Sequence, residues 1–187
     1  MLKQLINQRI SAMERDLGYD MSYGKFMLDA DFSAFWRFSK VTGLSSYRQG
    51  VPLACSYAVK IVGTMVEDCG PCTQLMVTMA EREQVPATTL RAILNRDDAA
   101  LDPDVLLAVR FARASLARDL AADTYREQVL ERWGKRGLIT LAFGLVAARV
   151  FPTLKYALGY GRACSRVTVQ GEPVVVKHAP IAQGAVA

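Results

Sequence analysis

The chain has 187 residues, of which 51% are hydrophobic and 22% charged, and this balance excludes an intrinsically disordered protein. Its length is enough for one domain with a substantial core. The formal net charge is +5, but the basic residues are scattered among acids, so the pattern argues against a nucleic-acid-binding surface.

The N-terminus and the cysteine content point to a cytoplasmic protein. The first seven residues are amphipathic and lack the long apolar segment of a secretory signal peptide. The most apolar segment, residues 138–148, covers about half of a bilayer before Arg149 interrupts it, so we expect no membrane span. Four cysteines are far fewer than in small secreted disulfide scaffolds. In the cytoplasm a close cysteine pair is more often redox-active or metal-binding than structural.

The first fifty residues begin with a helical pattern and continue into an aromatic segment. Apolar spacing predicts a helix over residues 2–17 that ends at Gly18. Residues 19–50 are rich in aromatics, which we interpret as core and subunit-contact packing, the alternative being the wall of a substrate pocket. Within this segment Asp31 is expected to cap a short helix that runs to about Thr42.

An almost wholly apolar segment, residues 53–66, follows Pro52. Proline suits the first turn of a helix. About fourteen apolar residues exceed a typical strand, so we favour a buried helix over a buried strand.

The remaining sequence down to residue 159 predicts one helix after another, and therefore an all-α fold. The breaks between the helices are Pro86, the turn at residues 97–100, the pair Gly134 and Gly137, and Pro152. The predicted helices run from Pro71 to about Glu83, from Thr88 or Thr89 to Leu94, from Asp102 to Leu116, from Asp123 or Thr124 to Trp133, and over residues 138–151, with a last turn or two to Leu158.

After Gly159 the composition changes, with more glycine and proline and two β-prone runs. Residues 167–169 and 174–176 are predicted to form a small hairpin or an extended arm. We therefore expect a helical domain over residues 1–160 and a tail over residues 161–187. The tail either contacts a neighbouring subunit or is a partly disordered terminus.

Reactive groups occur at a spacing that suggests chemistry only in Cys69-Gly70-Pro71-Cys72. Pro71 fits the first turn of a helix, which places Cys69 near the N-cap and Cys72 within the first turn. The unpaired N–H groups and the positive end of the helix dipole favour a thiolate there. A thiolate attacks a peroxide or a disulfide, and the neighbouring cysteine resolves the product. The pair predicts dithiol–disulfide chemistry without showing which cysteine attacks.

A zinc site, a purely structural pair and a thioredoxin fold are the alternatives for these cysteines. Zinc usually takes four ligands, and Cys55, Cys164 and His178 are not spaced as a second half-motif, so we expect no metal and no cofactor. The tetrapeptide is that of thioredoxins, but their fold needs strands after the motif helix. Residues 86–159 predict helices instead.

A family resemblance is carried by the apolar helix leading into the cysteine pair and by residues 85–94, 111–114, 125–130 and 138–142. With these segments, residues 45–160 resemble the alkylhydroperoxidase AhpD-like family, which includes the carboxymuconolactone decarboxylases. The resemblance implies an all-α fold, a homo-oligomer and peroxide reduction through Cys69 and Cys72. It also implies a dithiol electron donor, such as a lipoyl protein or a thioredoxin-like protein.

Two positions depart from the family's peroxidase motif. Met76 stands where the family has a histidine, and Tyr57 stands where it has a glutamate. Histidine is the usual proton carrier near neutral pH. Tyr57, Lys60 and Glu67 are therefore candidates for a substitute proton relay. The alternative function is a non-catalytic oligomeric protein, or a redox sensor, that keeps the fold without the relay.

Overall fold

The computed structural model describes residues 2–161 and 167–177, and these residues are mostly helical. The predicted all-α fold with a short β-prone tail is confirmed. The helices are α1 (Leu2–Leu17), α2 (Ser22–Ala30), α3 (Phe32–Ser39), α4 (Thr42–Ser46), α5 (Leu53–Val66), α6 (Gly70–Arg82), α7 (Ala87–Asn95), α8 (Pro103–Ala117) and α9 (Ala121–Ala157). A single 3₁₀ turn, Asp98–Ala100, precedes α8, and the strands are β1 (Val167–Val169) and β2 (Glu172–Val174).

The N-terminal helices begin and end largely where the sequence indicates. Helix α1 stops before Gly18, whose φ of +60° suits a residue without a side chain. Asp31 caps α3 as predicted, because its carboxylate accepts a hydrogen bond from Ser33 N at 2.7 Å. The predicted end at Thr42 is wrong, since α3 stops at Ser39. The Thr42 hydroxyl donates to Ser39 O at 2.7 Å, and such local side-chain bonds compete with a continuous helix.

Helix α5 is the centre of the fold. Every residue from Cys55 to Met65 is buried, as expected for a helix that is apolar on all sides. It packs on α6, α7, α8 and α9. It approaches α9 most closely at Gly63, where an added methyl group would lie only 2.7 Å from Ala148 Cβ. The hydrophobic core therefore forms around α5, and the cysteine pair follows directly from its end.

Helix α9 differs from the prediction at Pro152. The break at Gly134 is observed, with φ 65° and ψ −173°, so two helical segments meet there at a kink. The predicted end at Phe151-Pro152 is wrong, because the helix continues to Ala157. Proline removes one backbone hydrogen bond from a helix, but the turn that follows is held by packing, with Lys155 buried. This continuation brings Lys155 beneath the N-terminal helices.

Among the described residues, α9 is the one helix long and apolar enough to cross a membrane, judged by length and composition. Its most apolar window has a mean hydropathy of 1.7 and is 44% buried. The helix packs on α5 and α8, and core helices of soluble proteins meet the same criterion.

The described part of the tail forms the hairpin that was one of two predicted alternatives. Val167 pairs with Val174 and Val169 with Glu172 in an antiparallel register. Gln170 and Gly171 form the turn, both with positive φ, as two-residue hairpin turns of type I′ require. The second strand begins two residues earlier than predicted, at Glu172.

The hairpin packs on α6 and α7 of its own chain. Gln74 Nε2 donates to Thr168 O at 3.1 Å, and an Arg91 guanidinium N–H donates to Val169 O at 2.9 Å. Val167 and Val169 are fully buried in the main core. Residues 167–177 therefore pack against the helical domain of their own chain.

Candidate functional site

The two cysteines form a disulfide at the start of α6. Their Cα atoms are 5.3 Å apart, within the range that a disulfide bridges. Cys69 is the N-cap, and Cys72 lies in the first turn, so the predicted placement is confirmed. Cys69 N donates to Thr64 O at 3.3 Å, which ties the pair to the last turns of α5. Cys72 thus sits where the helix N-terminus favours a thiolate after reduction.

The two sulfurs differ in access. Cys69 is 0% exposed and Cys72 is 3% exposed. Cys72 lines a cavity of about 330 Å³, whereas Cys69 is not among its lining residues. The lining residues Arg48 and Glu83 have side chains that are each 36% exposed, so the cavity reaches solvent near them. A small molecule that enters the cavity meets Cys72, which makes this cysteine the candidate nucleophile.

A tyrosine and a lysine lie against Cys72. The Tyr19 hydroxyl is 3.7 Å from Cys72 Sγ, and Lys155 Nζ donates to Tyr19 Oη at 3.4 Å. Lys155 Nζ also lies 4.5 Å from the centre of the Tyr19 ring and 5.4 Å from that of Tyr23. Burial, and then the proximity of Tyr23, raises the pKa of Tyr19, so its hydroxyl stays protonated at neutral pH. This hydroxyl is a hydrogen-bond donor for a Cys72 thiolate.

The other end of the cavity carries a second polar cluster. The Tyr57 hydroxyl donates to Glu83, and Arg48 pairs with the other oxygen of the same carboxylate. The hydrogen bond from Tyr57 is the main cause of a lowered pKa of Glu83, so this carboxyl is ionised at neutral pH. Lys60 Nζ donates to Ser45 O at 2.8 Å and lies 5.0 Å from the centre of the Tyr57 ring.

Lys60 is the most perturbed base in this cluster. Burial, and then the charge of Arg48, lowers its pKa from the ordinary 10.5 to about 8. The negative charge of Glu83 acts in the opposite direction but does not cancel the effect of burial. Lys60 is therefore mostly charged at pH 7 and readily gives up its proton.

Two of the three candidate relay residues share the cavity with Cys72, and the third does not. Tyr57 and Lys60 line the cavity. Glu67 lies at the end of α5, where it accepts hydrogen bonds from Arg149 Nε and from Thr153 Oγ1, and it is not a lining residue. Met76, at the position of the family's histidine, lines the cavity but carries no proton.

Sequence reasoning missed Tyr19, Lys155 and Glu83. Tyr19 belongs to the aromatic segment, residues 19–50, for which the wall of a substrate pocket was one of two interpretations. The sequence did not indicate that its hydroxyl contacts Cys72. Lys155 follows Pro152 in an apolar stretch, and a lone lysine among apolar residues is a weak signal of a buried polar contact. Glu83 is at the end of α6 and gave no signal.

Cys55 is the other cysteine within the described residues, and it lies away from this site. Cys55 is buried in α5, and burial raises the pKa of its thiol to about 12, so it is unreactive. Cys164 and His178 lie outside the described residues. Within residues 2–161 and 167–177, no three His, Cys, Asp or Glu side chains come together as they do at a metal site.

Comparison with protein families, curated proteins and solved structures found no family model that matches the chain and no significant match to a curated protein or a solved structure.

Proposed function

We propose that the chain is a thiol–disulfide oxidoreductase that reduces organic hydroperoxides. Cys72 is the attacking cysteine and Cys69 the resolving one. The observation that supports this best is the position of Cys72, at a helix N-terminus, beside the Tyr19 hydroxyl and open to an apolar cavity. The resemblance of residues 45–160 to the AhpD-like family is a second support, which shares the cysteine pair with the first.

The first step breaks the O–O bond of the hydroperoxide. The Cys72 thiolate attacks the terminal oxygen, a sulfur–oxygen bond forms, and the remaining alkoxide leaves. Tyr19 donates a proton to the alkoxide, and the Lys155 ammonium replaces that proton, so an alcohol is released. Tyr19 and Lys155 thereby supply the proton for which Met76 offers no source.

The second step closes the disulfide. The Cys69 thiol attacks the sulfenic acid on Cys72, the sulfur–sulfur bond forms, and one water molecule leaves. A dithiol donor then returns two electrons and two protons through a mixed disulfide. A lipoyl group or a thioredoxin-like protein is the class of donor that the resemblance implies.

A redox sensor is the second candidate, and the burial of the pair favours it. Cys69 is fully buried, so attack on its sulfur by another protein requires movement of the covering helices. A sensor needs oxidation without rapid turnover. The two functions therefore differ in how fast the disulfide is reduced again.

The test is oxidation of the reduced protein by cumene hydroperoxide in a stopped-flow experiment. Cys69→Ser should react at the wild-type rate and stop at a sulfenic acid that dimedone traps, because the resolving thiol is gone. Cys72→Ser should react no faster than a free thiol. Cys55→Ala serves as the control, since this buried thiol takes no part in the reaction.

Wild-type oxidation no faster than that of free cysteine would overturn the proposal. Fast oxidation followed by a disulfide that neither dihydrolipoamide nor thioredoxin reduces would support the sensor instead.

A further inference from the structure

Cys72 and the buried Lys60 line the same cavity, and their presence in one cavity indicates which class of hydroperoxide it would bind. We infer that the cavity binds an amphipathic monocarboxylate, a fatty-acid hydroperoxide whose carboxylate pairs with Lys60 and whose chain extends toward Cys72. The hydroperoxide part of this inference rests on the proposed function. The binding of a carboxylate is separate and is tested separately.

Lys60 is placed to receive an anion. It lies on the otherwise apolar helix α5, is 4% exposed and lines the cavity. Among the described residues its ammonium donates one hydrogen bond, to Ser45 O, and an ammonium has three N–H donors. A buried ammonium is costly unless an opposite charge pairs with it.

The acid nearest to Lys60 is already engaged. Glu83 accepts hydrogen bonds from Tyr57 and from Arg48, one on each carboxylate oxygen. A ligand carboxylate can therefore pair with the remaining N–H groups of Lys60 without displacing a protein contact. The pKa of about 8 for Lys60 fits this role, because a bound anion favours the charged form.

The walls between Lys60 and Cys72 suit a hydrocarbon chain. They are built mainly from methionine and other apolar side chains, and methionine adapts to ligands of varied shape. The volume of about 330 Å³ is near the lower end of ligand pockets, roughly 300 to 1,000 Å³, which suits a chain of medium length. The apolar lining residues include Met13, Leu17, Met21, Leu75, Met79 and Phe151.

The two ends of the cavity are separated along α6. Lys60 lies over the ring of Tyr57, whose hydroxyl donates to Glu83 at the C-terminal end of α6, whereas Cys72 lies in the first turn of the same helix. The eleven residues from Cys72 to Glu83 span roughly 16 Å along the axis of α6. A carboxylate at Lys60 therefore places a carbon farther along the chain at Cys72. The hydroperoxide group belongs on such a carbon rather than next to the carboxylate.

Calorimetric titration of the oxidised protein with decanoate and with decan-1-ol at pH 7 tests the carboxylate site without any redox step. Decanoate should bind at least tenfold more tightly than the alcohol. Lys60→Met should remove this preference while leaving the alcohol bound, which also shows that the variant is folded. Lys135→Met, an exposed lysine away from the cavity, is the matched control.

Equal affinity for acid and alcohol, or decanoate binding that survives in Lys60→Met, would overturn the inference. A kinetic comparison tests the proposed function independently: Lys60→Met should raise the KM for a fatty-acid hydroperoxide but not for its methyl ester. Decanoate binding without reduction of either hydroperoxide would sustain the carboxylate site and reject the peroxidase.

Discussion

The two ends of the cavity are built from the same pair of residue types. Lys60 lies over the Tyr57 ring at 5.0 Å, and Lys155 lies over the Tyr19 ring at 4.5 Å. Both lysines are almost fully buried, at 4% and 2% exposure. The ends differ in what the tyrosine hydroxyl meets, which is the Glu83 carboxylate in one case and Cys72 Sγ in the other.

The difference shows how one arrangement serves two electrostatic purposes. At the Tyr57 end the negative charge is permanent, because Glu83 is ionised at neutral pH. At the Tyr19 end a negative charge appears only when the disulfide is reduced and Cys72 becomes a thiolate. We therefore propose the first lysine–tyrosine pair for ligand binding and the second for the redox step.

Tyr19→Phe should give the largest effect, on the reactivity of reduced Cys72. A hydrogen bond to a charged group contributes about 1.5 to 3 kcal/mol, so its loss should raise the pKa of Cys72 and slow alkylation at pH 7 by roughly ten- to a hundredfold. The measurement is the rate of bimane labelling against pH in a chain that keeps Cys72 as its single cysteine.

Tyr160→Phe is the matched control for this experiment. Tyr160 packs against the same buried cluster and its ring lies 6.1 Å from that of Phe26, whereas Tyr19 makes the contact with sulfur. An unchanged labelling profile in Tyr19→Phe would mean that the hydroxyl does not stabilise the thiolate.

Lys60→Met should have a smaller effect, which is an increase in the free energy of unfolding. The folded-state pKa of about 8 lies below the ordinary 10.5, so the unfolded chain binds more protons between these values and stability rises with pH there. At pH 7 the charged lysine costs roughly 3 kcal/mol, and loss of the bond to Ser45 O offsets about 1, so the variant should be about 2 kcal/mol more stable.

The pH dependence separates this effect from simple packing. The charged groups that face Lys60 are Arg48 and Glu83, and the Tyr57 hydroxyl is neutral in this range. Urea unfolding from pH 7 to pH 10.5 should show the advantage of the variant shrinking as pH rises. A difference that stays constant across this range would contradict the burial of a charged Lys60.

Tyr57→Phe should have the smallest effect, about 1 kcal/mol of unfolding free energy at pH 7, because it removes one partly exposed hydrogen bond to Glu83. The lowered pKa of Glu83 gives stability that is present above the ordinary range of a glutamate and is lost as pH falls through the folded-state value. Thermal unfolding at pH 7 and pH 3 is the check. A wild-type advantage that persists undiminished at pH 3 would exclude this carboxylate as its source.

The fold was predictable where a local signal decides the structure. The length of the apolar segment at residues 53–66, the proline after Cys69 and the Asp31 cap each act within one or two turns, and each was read correctly. Pro152 was misread because a proline signals a helix end locally, whereas packing of the following turn beneath the N-terminal helices keeps α9 intact.

The site was predictable only in its covalent part. The cysteine spacing identified Cys69 and Cys72, but their polar neighbours come from distant positions in the chain. Tyr19 and Lys155 are 136 residues apart and meet only because α9 returns under the first helices. Glu83 reaches Tyr57 across 26 residues through the turn between α5 and α6. Contacts of this kind depend on tertiary packing, which no spacing rule describes.

The unequal access of the two sulfurs bears on the choice of electron donor. Under the proposed function a reductant reaches Cys72 through the cavity, since Cys69 is fully buried and is not one of the lining residues. A lipoyl group at the end of its lysine arm is slender enough to enter, whereas a thioredoxin carries its thiols on a broad, rigid face. We therefore propose that a group carried on a long flexible arm, rather than a thiol on a protein surface, supplies the electrons.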